Sequence, residues 1–154
     1  AGGSQQCGVE RRRRGAVAAV DKAIDQAKAS GLRRAIKLPV SAPFHCGLMA
    51  PAAEGMKKAL AASQINDAKM PVFCNVTATA ETFAGNLRDN LVTQVTARVR
   101  WRESLMAMQA AGCQCYIELG TGKVLSGLVK RSLEDARVAN LDGPDDLDSV
   151  LAEL

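Results

Sequence analysis

One histidine occurs in the chain, and it sits in Leu38-Pro39-Val40-Ser41-Ala42-Pro43-Phe44-His45-Cys46-Gly47-Leu48-Met49, a proline-braced segment between an apolar run and a helix start. Histidine is the side-chain type best suited to proton transfer near neutral pH, so His45 is the candidate general base. The cysteines, carboxylates and single tyrosine would all need a shifted pKa for that work. A lone imidazole also fits a hydrogen-bonded structural role, and on spacing alone that role is the commoner one.

Two other clusters invite a chemical reading. Cys7, Cys46, Cys74, Cys113 and Cys115 form an odd set without Cys-x-x-Cys spacing, and a tetrahedral zinc site would find only one imidazole to join them. Buried, reduced thiols are therefore expected, with Cys113 and Cys115 on one face of a strand. Gly120-Thr121-Gly122-Lys123 has a passing likeness to a phosphate-binding loop. A Walker loop requires Ser or Thr after the lysine, where this chain has Val124. A tight strand-to-helix turn is expected instead, with helix amides that would still favour an anion.

These residues need elements to position them. Val17, Val20, Ala23, Ile24 and Ala27 recur at helical spacing over residues 16–30, with Gly31 as a stop. Residues 35–40 read as a short strand entering the histidine loop. Residues 47–62 read as a helix with Met49, Ala53, Met56 and Leu60 on one stripe. Residues 71–76 suggest a buried strand and 77–85 a loop, followed by helices over 86–96 and 101–111. A strand over 115–119, a helix over 123–132, a short strand over 137–141 and a closing helix over 145–154 complete the chain. Strands alternating with helices imply an α/β layer fold with a largely parallel sheet.

Composition fits a globular chain of 154 residues, 47% hydrophobic but only 3% aromatic, so its core must come from aliphatic side chains. The net charge of +4 is supplied by Arg11 to Arg14; the rest of the chain is balanced. Clustered guanidiniums would suit phosphates. No apolar run approaches a membrane span, and no signal-peptide layout opens the chain, so a cytoplasmic location is expected.

The histidine segment, with Pro51-Ala52-Ala53 after it, resembles the active-site histidine region of malonyl-CoA:acyl carrier protein transacylases: Leu-Pro-Val-Ser, then Pro-x-His-Cys, then Leu-Met-x-Pro-Ala. Two further segments agree in order and spacing. Leu87-Arg88-Asp89-Asn90-Leu91-Val92-Thr93-Gln94-Val95 through Val99-Arg100-Trp101 is similar to the family's helix and its Val-x-Trp sequel. Tyr116-Ile117-Glu118-Leu119-Gly120-Thr121-Gly122-Lys123-Val124-Leu125 is similar to its Glu-x-Gly-Pro-Gly-Lys-Val-Leu turn, with Thr121 in place of the proline. The resemblance runs from about Ala16 to the C-terminus.

The resemblance implies the C-terminal part of an α/β-hydrolase-like large subdomain over residues 39–154, preceded over 1–38 by the tail of a small ferredoxin-like subdomain. It implies His45 as the base that activates a serine, the backbone carbonyl of Gln94 as the group that orients it, and Phe44 as a residue limiting acyl size. Asn75 receives only a structural role. The implied activity moves a malonyl group from coenzyme A to acyl carrier protein in fatty acid biosynthesis, through a malonyl-serine ester. Malonyl-CoA and phosphopantetheinylated acyl carrier protein are the implied substrates; no metal or redox cofactor, nucleic acid or membrane is implied, and the parent enzyme is expected to be monomeric.

The family's nucleophile elbow, Gly-x-Ser-x-Gly, does not occur in these residues, nor does its upstream Gly-Gln-Gly loop or carboxylate-binding arginine. The chain is thus expected to correspond to the C-terminal half of the enzyme and to be inactive in isolation. A non-catalytic α/β fragment or binding module is the alternative from another class. A polyketide synthase acyltransferase domain is the alternative among enzymes, disfavoured by the lack of linker-like sequence towards Leu154. Residues 1–15 match no family segment. With suitable synonymous codons, residues 3–16 read one base later become Ala-Pro-Asn-Ser-Val-Val-Leu-Ser-Gly-Gly-Asp-Gly-Ala, which resembles the expected strand, so a frame-shifted translation would explain the arginine run.

Overall fold

The computed structural model describes residues 15–32, 35–37 and 41–152. The arginine run, Cys7 and the aberrant segment over 1–14 lie outside the described residues, as do Leu38, Pro39 and Val40. The strand expected over 35–40 is described only at 35–37, which carry no regular structure.

Helix α1, Val17–Ala29, ends where the sequence places its stop. Gly31 adopts φ +84°, a left-handed conformation that a side chain resists, and so lets the chain fold back on the last turn. Its N–H donates to the Lys28 carbonyl and the Leu32 N–H to the Ala27 carbonyl, both at 3.0 Å. No α1 residue is buried. A half-exposed ion pair between Asp21 and Lys37, 2.9 Å long, ties it to the following segment, an interaction worth little in water.

A single 3₁₀ turn, Gly47–Met49, leads into α2, Ala50–Ala61. Pro51 lies in the first helical turn, where a missing N–H costs nothing. Helix α2, whose Ala53 and Leu60 are half-buried, packs against α3, Ala84–Thr93.

Between these helices the structure departs from expectation. The run at 71–76 forms only the two-residue strand β1, Val72–Phe73, paired antiparallel with β2, Ala80–Glu81, inside the expected loop. Val72 is 44% exposed, so this strand is not buried. The physical cause lies in the next residues. Carbonyls of Asn75, Val76 and Thr77 turn towards Arg100, whose backbone N–H donates to Asn75 and whose guanidinium donates to Val76 and Thr77. Those groups are unavailable to extend a ladder.

The best-packed region follows. Helix α4, Trp101–Ala110, β3, Cys115–Leu119, α5, Val124–Ser132, and β4, Arg137–Leu141, make a β-α-β unit with α4 against its helical side. Strands β3 and β4 pair in parallel over five positions, from Cys115 opposite Arg137 to Leu119 opposite Leu141. Leu105, Val129 and Leu133 form its core, with Trp101, Met108, Tyr116 and Val138 packed around them. A second 3₁₀ turn, Pro144–Asp146, precedes α6, Leu147–Ala152, which packs on β4.

The molecule is thus α/β. Among the described residues its parallel sheet has two strands, alongside the small antiparallel hairpin. No helix there is long and apolar enough to cross a membrane.

Candidate active site

His45 occupies the turn between residues 41–44 and the 3₁₀ turn, with φ +58°. That left-handed conformation costs a non-glycine residue roughly 1–2 kcal/mol, so neighbouring interactions must hold it. Cys46 Sγ donates to the Pro43 carbonyl at 3.0 Å and the Met49 N–H to the Cys46 carbonyl at 3.0 Å, closing the loop on either side. His45 Nδ1 lies 2.9 Å from the carbonyl oxygen of Gln94.

Gln94 is the residue that ends α3, its own N–H bonded to Asn90. The last carbonyls of a helix have no partner within it, which leaves Gln94 C=O free to accept. A carbonyl oxygen can only accept a hydrogen bond. Nδ1 must therefore carry the proton, and the neutral ring presents Nε2 as an unprotonated acceptor. Forty-nine residues separate the pair in sequence; the structure brings them together. Phe44, beside His45 in the chain, is 49% exposed.

Gly120 and Gly122 adopt φ +107° and +96°, and the turn between β3 and α5 closes through them. The expectation of an anion site at the following helix amides is not met. Glu118 already occupies them: its carboxylate accepts from the N–H groups of Leu125 at 3.0 Å and Ser126 at 2.8 Å, and from Asn140 Nδ2 at 3.1 Å. These bonds, led by that of the Ser126 N–H, hold the Glu118 carboxyl below the usual carboxylate range. A carboxylate also suits the positive end of a helix dipole. The resemblance places Glu118 in a motif but gives it no such role, although an acidic residue just before a Gly-x-Gly turn into a helix is the available signal.

The cysteines depart from expectation too. Cys46, Cys74 and Cys115 are half-buried and Cys113 is exposed, ahead of β3 rather than on it. They are free thiols. Among the described residues no group of three or more His, Cys, Asp or Glu side chains could hold a metal ion.

A cavity of about 310 Å³ lies between α4, α5 and β3, lined by residues that include Trp101, Met108, Cys115, Ile117 and Leu125. Neither Phe44 nor His45 contributes to it. Trp101 Nε1 is buried without a hydrogen-bond partner.

Comparison with known proteins shows what the chain is similar to. The malonyl CoA-acyl carrier protein transacylase of Bacillus subtilis is 39% identical over 140 residues, which are 91% of this chain and 44% of the relative. The chain is a homologue of these transacylases. It spans less than half the length of the curated relatives it matches. Among solved structures, an acyl-carrier-protein-S-malonyltransferase from Bartonella henselae superposes with a TM-score of 0.81 at 38% identity, covering 88% of this chain and 43% of that one. A malonyl-transacylase in complex with its type II polyketide synthase acyl-carrier protein superposes at 0.82 with 35% identity, covering 90% and 45%. No protein-family model matches the chain.

Proposed function

We propose that this chain carries the histidine side of a malonyl-CoA:acyl carrier protein transacylase, an acyltransferase of fatty acid biosynthesis. The observation that carries the reading is the bond between His45 Nδ1 and the Gln94 carbonyl, which leaves Nε2 as the base. A serine hydroxyl placed against Nε2 gives up its proton as its oxygen attacks the thioester carbonyl of malonyl-CoA. The carbon–sulfur bond breaks, the coenzyme A thiolate takes the proton from the imidazolium, and a malonyl-serine ester remains. In the second half the phosphopantetheine thiol of acyl carrier protein gives its proton to Nε2 as its sulfur attacks the ester carbonyl; the bond to the serine oxygen breaks, that oxygen takes the proton back from the imidazolium, and the malonyl group leaves as a thioester of the carrier protein. The ring ends each cycle neutral.

The helix-end carbonyl of Gln94 performs the orienting task that a carboxylate performs in a Ser-His-Asp triad. Phe44 is read as a wall of the acyl site that leaves little room for a branched unit. Residues 39–154 are read as part of the large α/β-hydrolase-like subdomain and 1–38 as the tail of the small ferredoxin-like one, in a cytoplasmic, monomeric enzyme that works without a metal or redox cofactor. The serine must come from outside these 154 residues, since none of their serines stands in Gly-x-Ser-x-Gly. A polyketide carrier protein is a second acceptor to test, because one structural relative was solved with such a partner.

The test is a chimera in which this chain replaces the matching 44% of the Bacillus subtilis relative. Malonyl transfer from coenzyme A to acyl carrier protein is the expected result. A folded chimera that forms no malonyl ester would overturn the reading.

A further inference from the structure

The orientation of His45 depends on one carbonyl, that of Gln94, at the end of α3. The chain just beyond is wound back on the helix: the Val95 N–H donates to the Val92 carbonyl at 3.2 Å, and those of Thr96 and Ala97 donate to the Thr93 carbonyl at 3.3 and 3.1 Å. All of these bonds return to α3, and a helix end frays when nothing outside the helix holds it. Packing does not hold this one, since no residue from Thr79 to Glu103 is fully buried. Among the described residues, the first backbone bond after Ala97 is that of the Arg100 N–H, which donates to the Asn75 carbonyl at 3.3 Å.

The Arg100 side chain reinforces that anchor. Its Nη1 donates to the Thr77 carbonyl at 2.8 Å and to the Val76 carbonyl at 3.3 Å. Its own carbonyl accepts from the N–H and the hydroxyl of the buried Ser104, at 2.9 and 3.0 Å. Bonds given by a guanidinium are roughly twice as strong as neutral ones. The loop that receives them is fixed in its turn. Ala78 is buried with φ +55°, its N–H donates to the Cys74 carbonyl at 2.8 Å, and the Cys74 N–H donates to the Thr79 carbonyl at 3.2 Å. A left-handed alanine persists only where the surrounding structure over-determines it. Arg100 thus ties the segment that leaves Gln94 to a rigid loop on one side and to the start of α4 on the other.

We propose that Arg100 is a positioning residue for acyl transfer: by pinning the segment that leaves α3 to the carbonyls of residues 75–77, it holds the Gln94 carbonyl against His45 Nδ1 and so keeps Nε2 bare. The effect passes along the chain from Arg100 to Gln94 rather than through a bond from Arg100 to the ring. A neutral imidazole has two tautomers, and the bond to Gln94 selects one of them. A carbonyl that swings with a fraying helix end selects weakly, and the tautomer ratio then moves by about two- to tenfold, the worth of one neutral hydrogen bond.

The catalytic consequence rests on the transacylase reading, whereas the tautomer is read in the chain without any substrate. A tautomer that shifts as expected, beside a chimera that transfers no malonyl group, contradicts the activity alone. An active chimera with an unmoved tautomer contradicts the role of Arg100 alone.

The experiment records the two-bond ¹⁵N–¹H correlation of His45, the only histidine, in the labelled 154-residue chain at a pH where the ring is neutral. Arg100→Met keeps an apolar stem and removes the donors. The ratio of Nε2-protonated to Nδ1-protonated ring should rise about two- to tenfold, and in the chimera kcat should fall in step with the lost Nδ1-protonated share, with KM little changed. Both carbonyl bonds of the side chain come from one nitrogen, so the ammonium of Arg100→Lys can replace them and should restore most of the wild-type ratio. Val129→Ala, which weakens the buried core away from this segment, should leave the ring unmoved. Circular dichroism reports whether each variant keeps its fold, and Arg100→Gln, a milder loss, takes the place of Arg100→Met if that chain unfolds. A wild-type ratio in folded Arg100→Met or Arg100→Gln, a shift in Arg100→Lys as large as in Arg100→Met, or the same shift in Val129→Ala would each overturn the proposal.

Discussion

The β3-α5-β4 unit and the histidine loop are held in opposite ways. The first rests on burial: Leu105, Val129 and Leu133 are nearly inaccessible, and both faces of β4 are covered. The second has no fully buried residue between 41 and 50, and its decisive contacts are single hydrogen bonds, those of His45 to Gln94 and of Cys46 to Pro43. A hydrophobic core fixes a layer of structure through many small contacts, while a reacting nitrogen needs one directional contact that selects its tautomer. Mutations in the two regions should accordingly separate stability from chemistry.

The largest separation is expected at His45. In the chimera, His45→Ala should lower malonyl transfer by about 10²–10⁴-fold, the usual worth of a positioned general base, with little change in the denaturant midpoint. Transfer near the parent rate would remove His45 from the mechanism. Gln94→Ala should change the rate far less, because the backbone carbonyl that faces His45 persists; an equal loss would transfer the role to the side chain.

Leu105→Ala is the converse. Removing a side chain that is 1% exposed should cost about 2–5 kcal/mol of stability, read by urea unfolding. If the chain loses less than about 1 kcal/mol, the cluster around Leu105 is not the core that holds β3 and β4 together.

Glu118 gives a smaller and pH-dependent effect. Its folded carboxyl titrates below its ordinary range because the Ser126 and Leu125 amides and Asn140 bond the ionised form. The stabilisation is present above the unfolded carboxyl value and is lost as the pH falls through the lower, folded value. Glu118→Gln should therefore flatten the acid side of the stability profile while lowering stability at neutral pH. An unchanged slope below pH 4.5 would show that the cap is not formed in solution.

Phe44→Ser is expected to have the least effect, about a tenfold rise in the relative use of methylmalonyl-CoA by the chimera, because the two substrates differ by one methyl group and a pocket discriminates such a group only modestly. An unaltered ratio of the two specificity constants would place Phe44 away from the acyl group.

The same two regions differ in how legible they are from sequence. The bounds of β3 and β4 coincide with the expected ones, since short apolar strands flanked by glycine and by a helical period leave few alternatives. The β1–β2 hairpin was not readable, because its length is set by the carbonyls that Arg100 captures, a contact across more than twenty residues. Cysteine type says nothing of burial, and Cys113 lies exposed at the turn after α4. In the histidine loop, spacing marks His45 as unusual but cannot pair it with a carbonyl 49 residues away. Only the family resemblance named Gln94 in advance.

The most direct measurement is the tautomer of His45, which a ¹⁵N-labelled chain reports without ambiguity because it is the only histidine. At a pH where the ring is neutral, two-bond ¹⁵N–¹H correlation should show a protonated Nδ1 and a bare Nε2. A protonated Nε2 with a bare Nδ1 would mean that the Gln94 carbonyl does not hold the ring, and the proposed base would have no basic nitrogen to offer a serine.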